Sequence, residues 1–233
     1  MIAFHIITVF PEAFQGYFST SIVKRAQEKK RVSIAMHGLR DFSKDKHKSV
    51  DERPFGGGPG MVLMVEPILG ALKHILKNDF RLDAQGKLIV DPKKYRIVFF
   101  DTRGELLTQE IVRSFVPKTL GLRSKIRVIF ICGHYEGVDE RIKEYCATDV
   151  ISIGGYVLSG GELPAMVMVD AITRLIPGVL GNEESIEETR GVKGYAVYTR
   201  PREYSPRKKT VWKVPDVLFS GDPKKIDEWR REH

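Results

Sequence analysis

Three glycine-bearing segments carry the side chains best suited to chemistry. The first reads Arg53-Pro54-Phe55-Gly56-Gly57-Gly58-Pro59-Gly60-Met61. Clustered glycines let a backbone approach a ligand closely and turn several N–H groups toward an anion. The Gly-Lys-Ser/Thr ending of a phosphate-binding loop is missing, and a tight surface loop is the simpler reading of this segment alone. The second is Cys132-Gly133-His134-Tyr135-Glu136-Gly137-Val138-Asp139-Glu140-Arg141. Its one histidine has no second histidine at ligand spacing, so no metal site is predicted. Asp139 and Glu140 are equally readable as acids placed at a helix N-terminus to match its dipole. The third runs from Ser152-Ile153-Gly154-Gly155-Tyr156-Val157-Leu158 to Ser159-Gly160-Gly161-Glu162-Leu163-Pro164-Ala165-Met166. Two glycine pairs flank a short apolar piece that can wall in a flat ring while backbone amides read its edge. Without GxGxxG it is not a Rossmann dinucleotide site.

Alternating strands and helices position these segments. Residues 2–9 are β-branched and aromatic and stop at Pro11, and Phe14, Tyr17, Phe18, Ser21 and Ile22 follow at helical spacing. Residues 32–36 read as a strand, residues 41–60 as a long polar loop, and Ile68, Leu69, Leu72, Ile75 and Leu76 as a helix. Short apolar runs at 95–100 and 126–131 predict buried parallel strands, with a helical piece around 111–115 between them. A helix is predicted at 138–146, a strand at 150–153, and a helix with Pro164 in its first turn running to about Ile176. This order predicts an α/β fold with a parallel sheet. The second segment then directly follows a strand, where open α/β sheets bind ligands. Beyond Pro177 the composition changes: residues 181–194 are acidic, residues 198–213 basic, and Ile226, Trp229 and Arg230 suit a short last helix. The predicted organisation is a domain of residues 1–180, a linker at 181–194 and a small C-terminal domain at 195–233.

The composition, 42% hydrophobic and 29% charged, is that of a folded globular protein. Two cysteines, Cys132 and Cys146, cannot make a disulfide framework, so both are read as buried thiols in a reducing cytoplasm. The first ten residues lack the basic start of a signal peptide, and no apolar run approaches membrane-spanning length. A net charge of +8 favours polyanionic partners, nucleic acid first, although basic proteins of this size that bind none are common.

Taken in order, RPFGGGPGM, CGHYEGVDER, SIGGYVLSGGELPAM, Arg174-Leu175-Ile176-Pro177-Gly178-Val179-Leu180-Gly181 and Tyr198-Thr199-Arg200-Pro201 closely resemble the bacterial tRNA (guanine-N1)-methyltransferases of the SPOUT superfamily. The resemblance runs from Phe10-Pro11 to Trp229-Arg230. It implies a parallel sheet with a deep C-terminal trefoil knot and a small helical C-terminal domain. It further implies a homodimer with a shared active site, tRNA as partner and S-adenosylmethionine as methyl donor. By similarity the cofactor lies against Gly133, Tyr135, Glu136, Ile153, Gly154, Gly155, Tyr156, Val157 and Leu158, with Gly160, Gly161 and Pro164 shaping the far wall and the loop after Phe100 completing it. Gly155 stands where relatives usually carry aspartate.

The implied reaction moves a methyl group to N1 of the guanine immediately 3′ of the anticodon. That nitrogen carries a proton, so attack requires a general base, and electron density arriving on O6 requires a donor. The family's arginine before LIPGVLG matches Arg174. Its linker aspartate has no counterpart: the linker reads Glu183-Glu184-Ser185-Ile186-Glu187-Glu188-Thr189, in which Glu188 aligns best and Glu187 is the alternative. The missing aspartate motivates a rival expectation, a relative that binds tRNA with weakened or lost catalysis. A sulfonium methyl needs no metal for activation, and the sequence gives no indication of Mg2+. Lys24, Arg25, Lys29, Lys30, Arg31, Lys44, Lys46, Lys48, Arg200, Arg202, Arg207, Lys208 and Lys209 are candidate phosphate contacts, with Tyr204 and Trp212 placed for stacking.

Overall fold

Ile2, Phe4 and Ile6 are buried on one side of the first strand and Ile7 on the other, as expected for a strand covered on both faces. In the computed structural model, which describes residues 1–116, 126–180 and 195–233, this is β1 (Ile2–Thr8). A first compact unit, Met1–Ser185, continues with α1 (Gln15–Phe18), α2 (Ser21–Glu28), β2 (Val32–Gly38) and the two-residue strands β3 (Asp51–Glu52) and β4 (Val62–Leu63). Then come α3 (Val65–Leu76), β5 (Arg81–Leu82), β6 (Leu88–Ile89), β7 (Tyr95–Leu106) and α4 (Gln109–Ser114). The unit's last described elements are β8 (Ile126–Ile131), α5 (Glu140–Cys146), β9 (Asp149–Ser152) and α6 (Glu162–Arg174).

Five strands form an all-parallel sheet in the order β2-β1-β8-β7-β9. Side chains alternate along each strand, so β8 serves two cores. Val128 and Phe130 pack with Ile2, Phe4 and Ile6 and with Val23, Met168 and Ile172 of α2 and α6. Ile129 and Ile131 pack with Ile7 and Ile97 and with Ile68 and Leu72 of α3. Each such side chain contributes ~1.5–3 kcal/mol by leaving water, which holds helices on both faces.

The strand order forces a crossing. Because β8 lies between β1 and β7 while β9 lies outside β7, the chain leaving β9 must come back over the end of β7 to meet the loop after β8. There the Gly161 N–H donates to the Gly133 carbonyl at 2.8 Å, and His134 bridges to Gly160. Strand β7 is also longer than predicted. Phe100 faces Ile151, the register then shifts, and Glu105 faces Ile151 again, with Gly104 close against the Ile151 backbone.

The second unit spans Ile186–His233. Its described part holds α7 (Pro223–Glu232), capped by the Asp222 carboxylate, which accepts from the Lys224 and Lys225 N–H groups. The expectation of a helical C-terminal domain needs correction here, because β10 (Glu203–Arg207) and β11 (Thr210–Lys213) make an antiparallel hairpin. Tyr204 faces Trp212 across it, with ring centroids 5.8 Å apart, and such aromatic cross-strand pairs stabilise strands directly.

Candidate active site

A cavity of about 400 Å³ lies beyond the carboxyl ends of β7, β8 and β9. Of the residues predicted to hold the cofactor, Gly133, Tyr135, Glu136, Ile153, Gly154, Tyr156, Val157, Leu158, Gly160, Gly161 and Pro164 line it, and Gly155 does not. Tyr135 takes a left-handed backbone conformation (φ 59°), which costs a non-glycine residue about 1 kcal/mol and is commonest where function constrains the chain.

The crossing of residues 160–161 over residues 132–134 forms one wall and depends on the absence of side chains. A Cβ on Gly161 would lie 2.7 Å from the Cys132 Cα and 3.0 Å from the Gly133 nitrogen. One on Gly160 would lie 2.3 Å from the Glu162 carboxylate and 2.7 Å from His134 Nδ1. Under this crossing Glu162 is nearly buried, accepting a 2.7 Å hydrogen bond from the Thr8 hydroxyl, which in turn accepts from the Phe10 N–H at 3.0 Å. His134 sits edge-on between Phe10 and Tyr135, with Nδ1 3.8 Å from Glu162 Oε2 and no hydrogen-bond partner among the described residues. Buried polar atoms are normally paired, and the nearest acceptor given for this nitrogen is the Glu162 carboxylate; the glycine cradle beside it leaves room for a flat ligand to approach the backbone closely. Burial and the Glu162 carboxylate push the Cys132 thiol well above its ordinary range, and burial raises Cys146 to about 11. Both are inert interior thiols.

Sequence reasoning named only the loop after Phe100 for the remaining wall, which Asp101, Thr102 and Arg103 supply. The Asp101 carboxylate accepts from the Arg103 guanidinium at 2.9 Å and from Lys143 at 3.0 Å, and these partners hold its pKa far below the usual carboxylate range. Glu140 pairs with Lys143 and lies 3.6 Å from Arg103. Asp139 caps α5 by accepting from the Arg141 N–H, so the plain helix-terminus reading is right for it. The loop at residues 53–61 does not line the cavity. Its far end positions the cavity loop instead, since the Met61 carbonyl accepts from the Glu136 N–H at 3.0 Å. Phe55, at its tip, is 99% exposed.

Arg174 ends α6, whose first residue, Glu162, lies beneath the cavity. Twelve helical steps separate them by ~18 Å, so Arg174 does not line the cavity of its own chain. It is half-buried beside Tyr17, whose hydroxyl donates to Asp170 at 2.9 Å. Glu187 and Glu188 lie outside the described residues. Lys24, Arg25, Lys29, Lys30, Arg31, Lys44, Lys46 and Lys48 are exposed, as are Arg200, Arg207, Lys208 and Lys209. Arg202 is engaged within its own unit, 2.8 Å from Asp216 and stacked over Phe219. Among the described residues no group of three or more His, Cys, Asp or Glu side chains could hold a metal ion, and no helix is long and apolar enough to cross a membrane.

A parallel sheet whose carboxyl-end loops cross over one another and enclose a glycine-walled cavity, without GxGxxG, defines an α/β ligand-binding fold distinct from the Rossmann type. A family model described as tRNA (Guanine-1)-methyltransferase TrmD matches residues 2–233. The tRNA (guanine-N(1)-)-methyltransferase of Clostridioides difficile (strain 630) is 47% identical over 232 residues, covering 98% of this chain and 90% of that protein. That of Staphylococcus carnosus (strain TM300) is 45% identical over 229 residues, covering 97% and 83%. The crystal structure of tRNA (m1G37) methyltransferase from Aquifex aeolicus superposes with a TM-score of 0.72 at 35% identity, covering 100% of this chain and 88% of that one. The chain belongs to the tRNA (guanine-1)-methyltransferase family.

Proposed function

We propose that this protein transfers a methyl group from S-adenosylmethionine to N1 of the guanine immediately 3′ of the anticodon in tRNA. We propose further that it works in the cytoplasm as a homodimer with shared active sites. The observation that carries this reading is the family match over residues 2–233. The gathering of two of its motif segments around one cavity, with the third tied to the cavity loop, supports it.

When bound, S-adenosylmethionine supplies a methyl group on a sulfonium whose leaving group departs neutral. Gly133, Tyr135, Ile153, Gly154 and residues 156–158 would hold its nucleoside portion, with Gly160, Gly161 and Pro164 forming the opposite wall. Glu188 takes the N1 proton of guanine, and the Arg174 guanidinium donates to O6 as negative charge collects there. The return of residues 159–161 across the end of β7 supports the deep trefoil knot.

Two features support the dimer. Leu163 and Val167 are 56% and 45% exposed on α6, and with Asp170 and Arg174 they recur at three- and four-residue spacing on the same side. An apolar stripe beside a half-buried arginine suits burial against a second copy. The ~18 Å between Arg174 and its own cavity is also what a site completed by a partner subunit requires. The C-terminal unit, with Arg207, Lys208 and Lys209 near exposed Tyr204 and Trp212, suits phosphate contact and stacking on RNA.

The test is methyl transfer from labelled S-adenosylmethionine to a tRNA transcript with guanine after the anticodon, alongside one with that guanine replaced. Label on the first alone supports the assignment. Label on neither, with S-adenosylhomocysteine binding intact, replaces it with a tRNA-binding protein that has lost catalysis.

A further inference from the structure

A second cavity, of about 380 Å³, opens under the end of α3 near the starting ends of β7 and β8. Six residue steps along and just past β8 separate its Arg127 from Gly133 of the candidate active site, a distance of ~20 Å. Its wall brings together His5 of β1, His37 of β2, His74 of α3, Lys77, and Arg127 of β8. His5 Nδ1 and His37 Nε2 are 2.9 Å apart with their rings stacked, and the His74 ring centroid is 5.9 Å from that of His37. Arg127 lies over the Tyr95 ring and donates to its hydroxyl at 2.5 Å, and that hydroxyl donates to Asp79 at 2.6 Å.

Complementing the negative end of α3 accounts for His74 and Lys73 in its last turn. It does not account for His5, His37 and Arg127, which stand on three neighbouring strands beside the apolar cluster under α3. One guanidinium, one ammonium and three imidazoles face this space. Asp79, the one carboxylate in the wall, is already engaged by Tyr95. Burial, followed by His37, Arg127 and His74, lowers His5 to about 4, and burial followed by His74 lowers His37. A metal cation is opposed by Arg127 and Lys77, and no metal-holding group is present among the described residues.

We infer that this cleft binds a phosphate group. A compact dianion offers acceptor oxygens to a guanidinium fork, an ammonium and imidazole N–H groups at once, and its charge opposes the Arg127 repulsion that adds to burial at His5. The volume accommodates a small phosphorylated molecule, and an RNA backbone phosphate presents the same chemistry. The groups facing the imidazoles are Lys77 and Asp79 beyond α3, Tyr95 on β7 and Arg127 on β8. These groups leave one positive charge in excess, which a dianion outweighs, so binding draws protons onto the histidines.

The test follows the imidazole resonances in 1H–15N spectra of the full chain as inorganic phosphate is added to millimolar concentration. The His5 and His37 signals are expected to move toward the protonated form. Lys77→Gln, at an exposed position that no core contact uses, should weaken the response about tenfold, the loss of one charge-assisted hydrogen bond. Arg127→Gln, with its melting temperature checked, should do the same. A tRNA arm separates the two sources. If the phosphate belongs to RNA, inorganic phosphate competes with tRNA, and Lys77→Gln lowers the salt dependence of tRNA binding by about one ion. If it belongs to a small molecule, tRNA binding is unchanged and phosphate still binds the complex. Imidazole signals that ignore phosphate, or that respond equally in both variants, overturn the inference.

Discussion

Replacing Gly161 with alanine tests whether the crossing of two loops is what makes the candidate active site. The added Cβ would lie 2.7 Å from the Cys132 Cα, against an ordinary contact distance of 3.4 Å. The two backbones must therefore part by ~0.7 Å, and neither can swing aside as a flexible side chain would. Separation stretches the 2.8 Å hydrogen bond from the Gly161 N–H to the Gly133 carbonyl toward ~3.5 Å, beyond useful geometry. Overpacking of this kind costs ~1–3 kcal/mol, and the lost bond adds ~1 kcal/mol. For a chain of this size the sum corresponds to a fall of ~5–15 °C in melting temperature. The same displacement widens the cavity wall, and misplacement approaching an ångström lowers turnover by as much as ~100-fold. The assay pairs thermal unfolding with calorimetric binding of S-adenosylhomocysteine and with methyl transfer to tRNA. Gly155→Ala is the control, since Gly155 does not line the cavity and its Cβ would meet nothing within 4 Å. If Gly161→Ala melts with the wild type and binds S-adenosylhomocysteine unchanged, the reasoning from close approach fails.

Glu188→Gln should lower turnover by ~100-fold or more while S-adenosylhomocysteine affinity stays within a factor of about two; full turnover would remove Glu188 as the base. Arg174→Ala should cost ~100-fold in kcat, and when mixed with Glu188→Gln the heterodimer's recovery or failure of activity reports whether one subunit supplies both groups. Val167→Glu places a charge in the exposed apolar stripe of α6 and should shift the sedimentation coefficient from dimer to monomer with loss of methyl transfer; an unchanged coefficient would move the interface elsewhere. For pH, His5 is lowered to about 4 and His37 is also lowered. The unfolded chain therefore takes up protons below pH ~6.5 that the folded chain refuses. The stability these groups confer is complete above that pH and is lost as pH falls toward about 4. Allowing for the partial exposure of His5, the loss is about 1–2 kcal/mol, seen as a smaller unfolding free energy at pH 5 than at pH 7 that His5→Gln should flatten.

Local periodicity made the sheet legible. Ile2, Phe4, Ile6 and Ile7, like the run at 126–131, are β-branched or aromatic enough to admit no other reading, and Pro164 fell in the first turn of its helix as its missing N–H predicts. Strand order was not legible, because whether β8 lies inside or outside β7 is decided by pairings between residues far apart in the chain. The resemblance to a family, not periodicity, implied a crossing. The cavity residues 101–103 were reached only as a loop, since a strand that bulges and then resumes looks in sequence like one that simply ends. Glu162 carries the same blind spot. An acid in a helix's first turn reads as dipole complementarity, and nothing local says that Thr8, 154 residues earlier, holds it in the interior. In the C-terminal unit, the density of lysines and arginines points to RNA and obscures the cross-strand pairing of Tyr204 with Trp212 that builds a hairpin.

The placement of β8 inside the sheet also has a consequence for biosynthesis. Loops from β7, β8 and the stretch after β9 wall the cavity together, and its final closure comes from Gly160, Gly161 and Pro164. A nascent chain that has exposed everything up to β8 therefore has strands of both cores but no pocket, and docking residues 160–161 against residues 132–134 requires the chain beyond β9 to have been made; contacts of high sequence separation form slowly. The ligand site is complete only when the slowest part of folding is complete. A small molecule that fits it recognises finished molecules alone, and adds its binding free energy to the native state and to no earlier species.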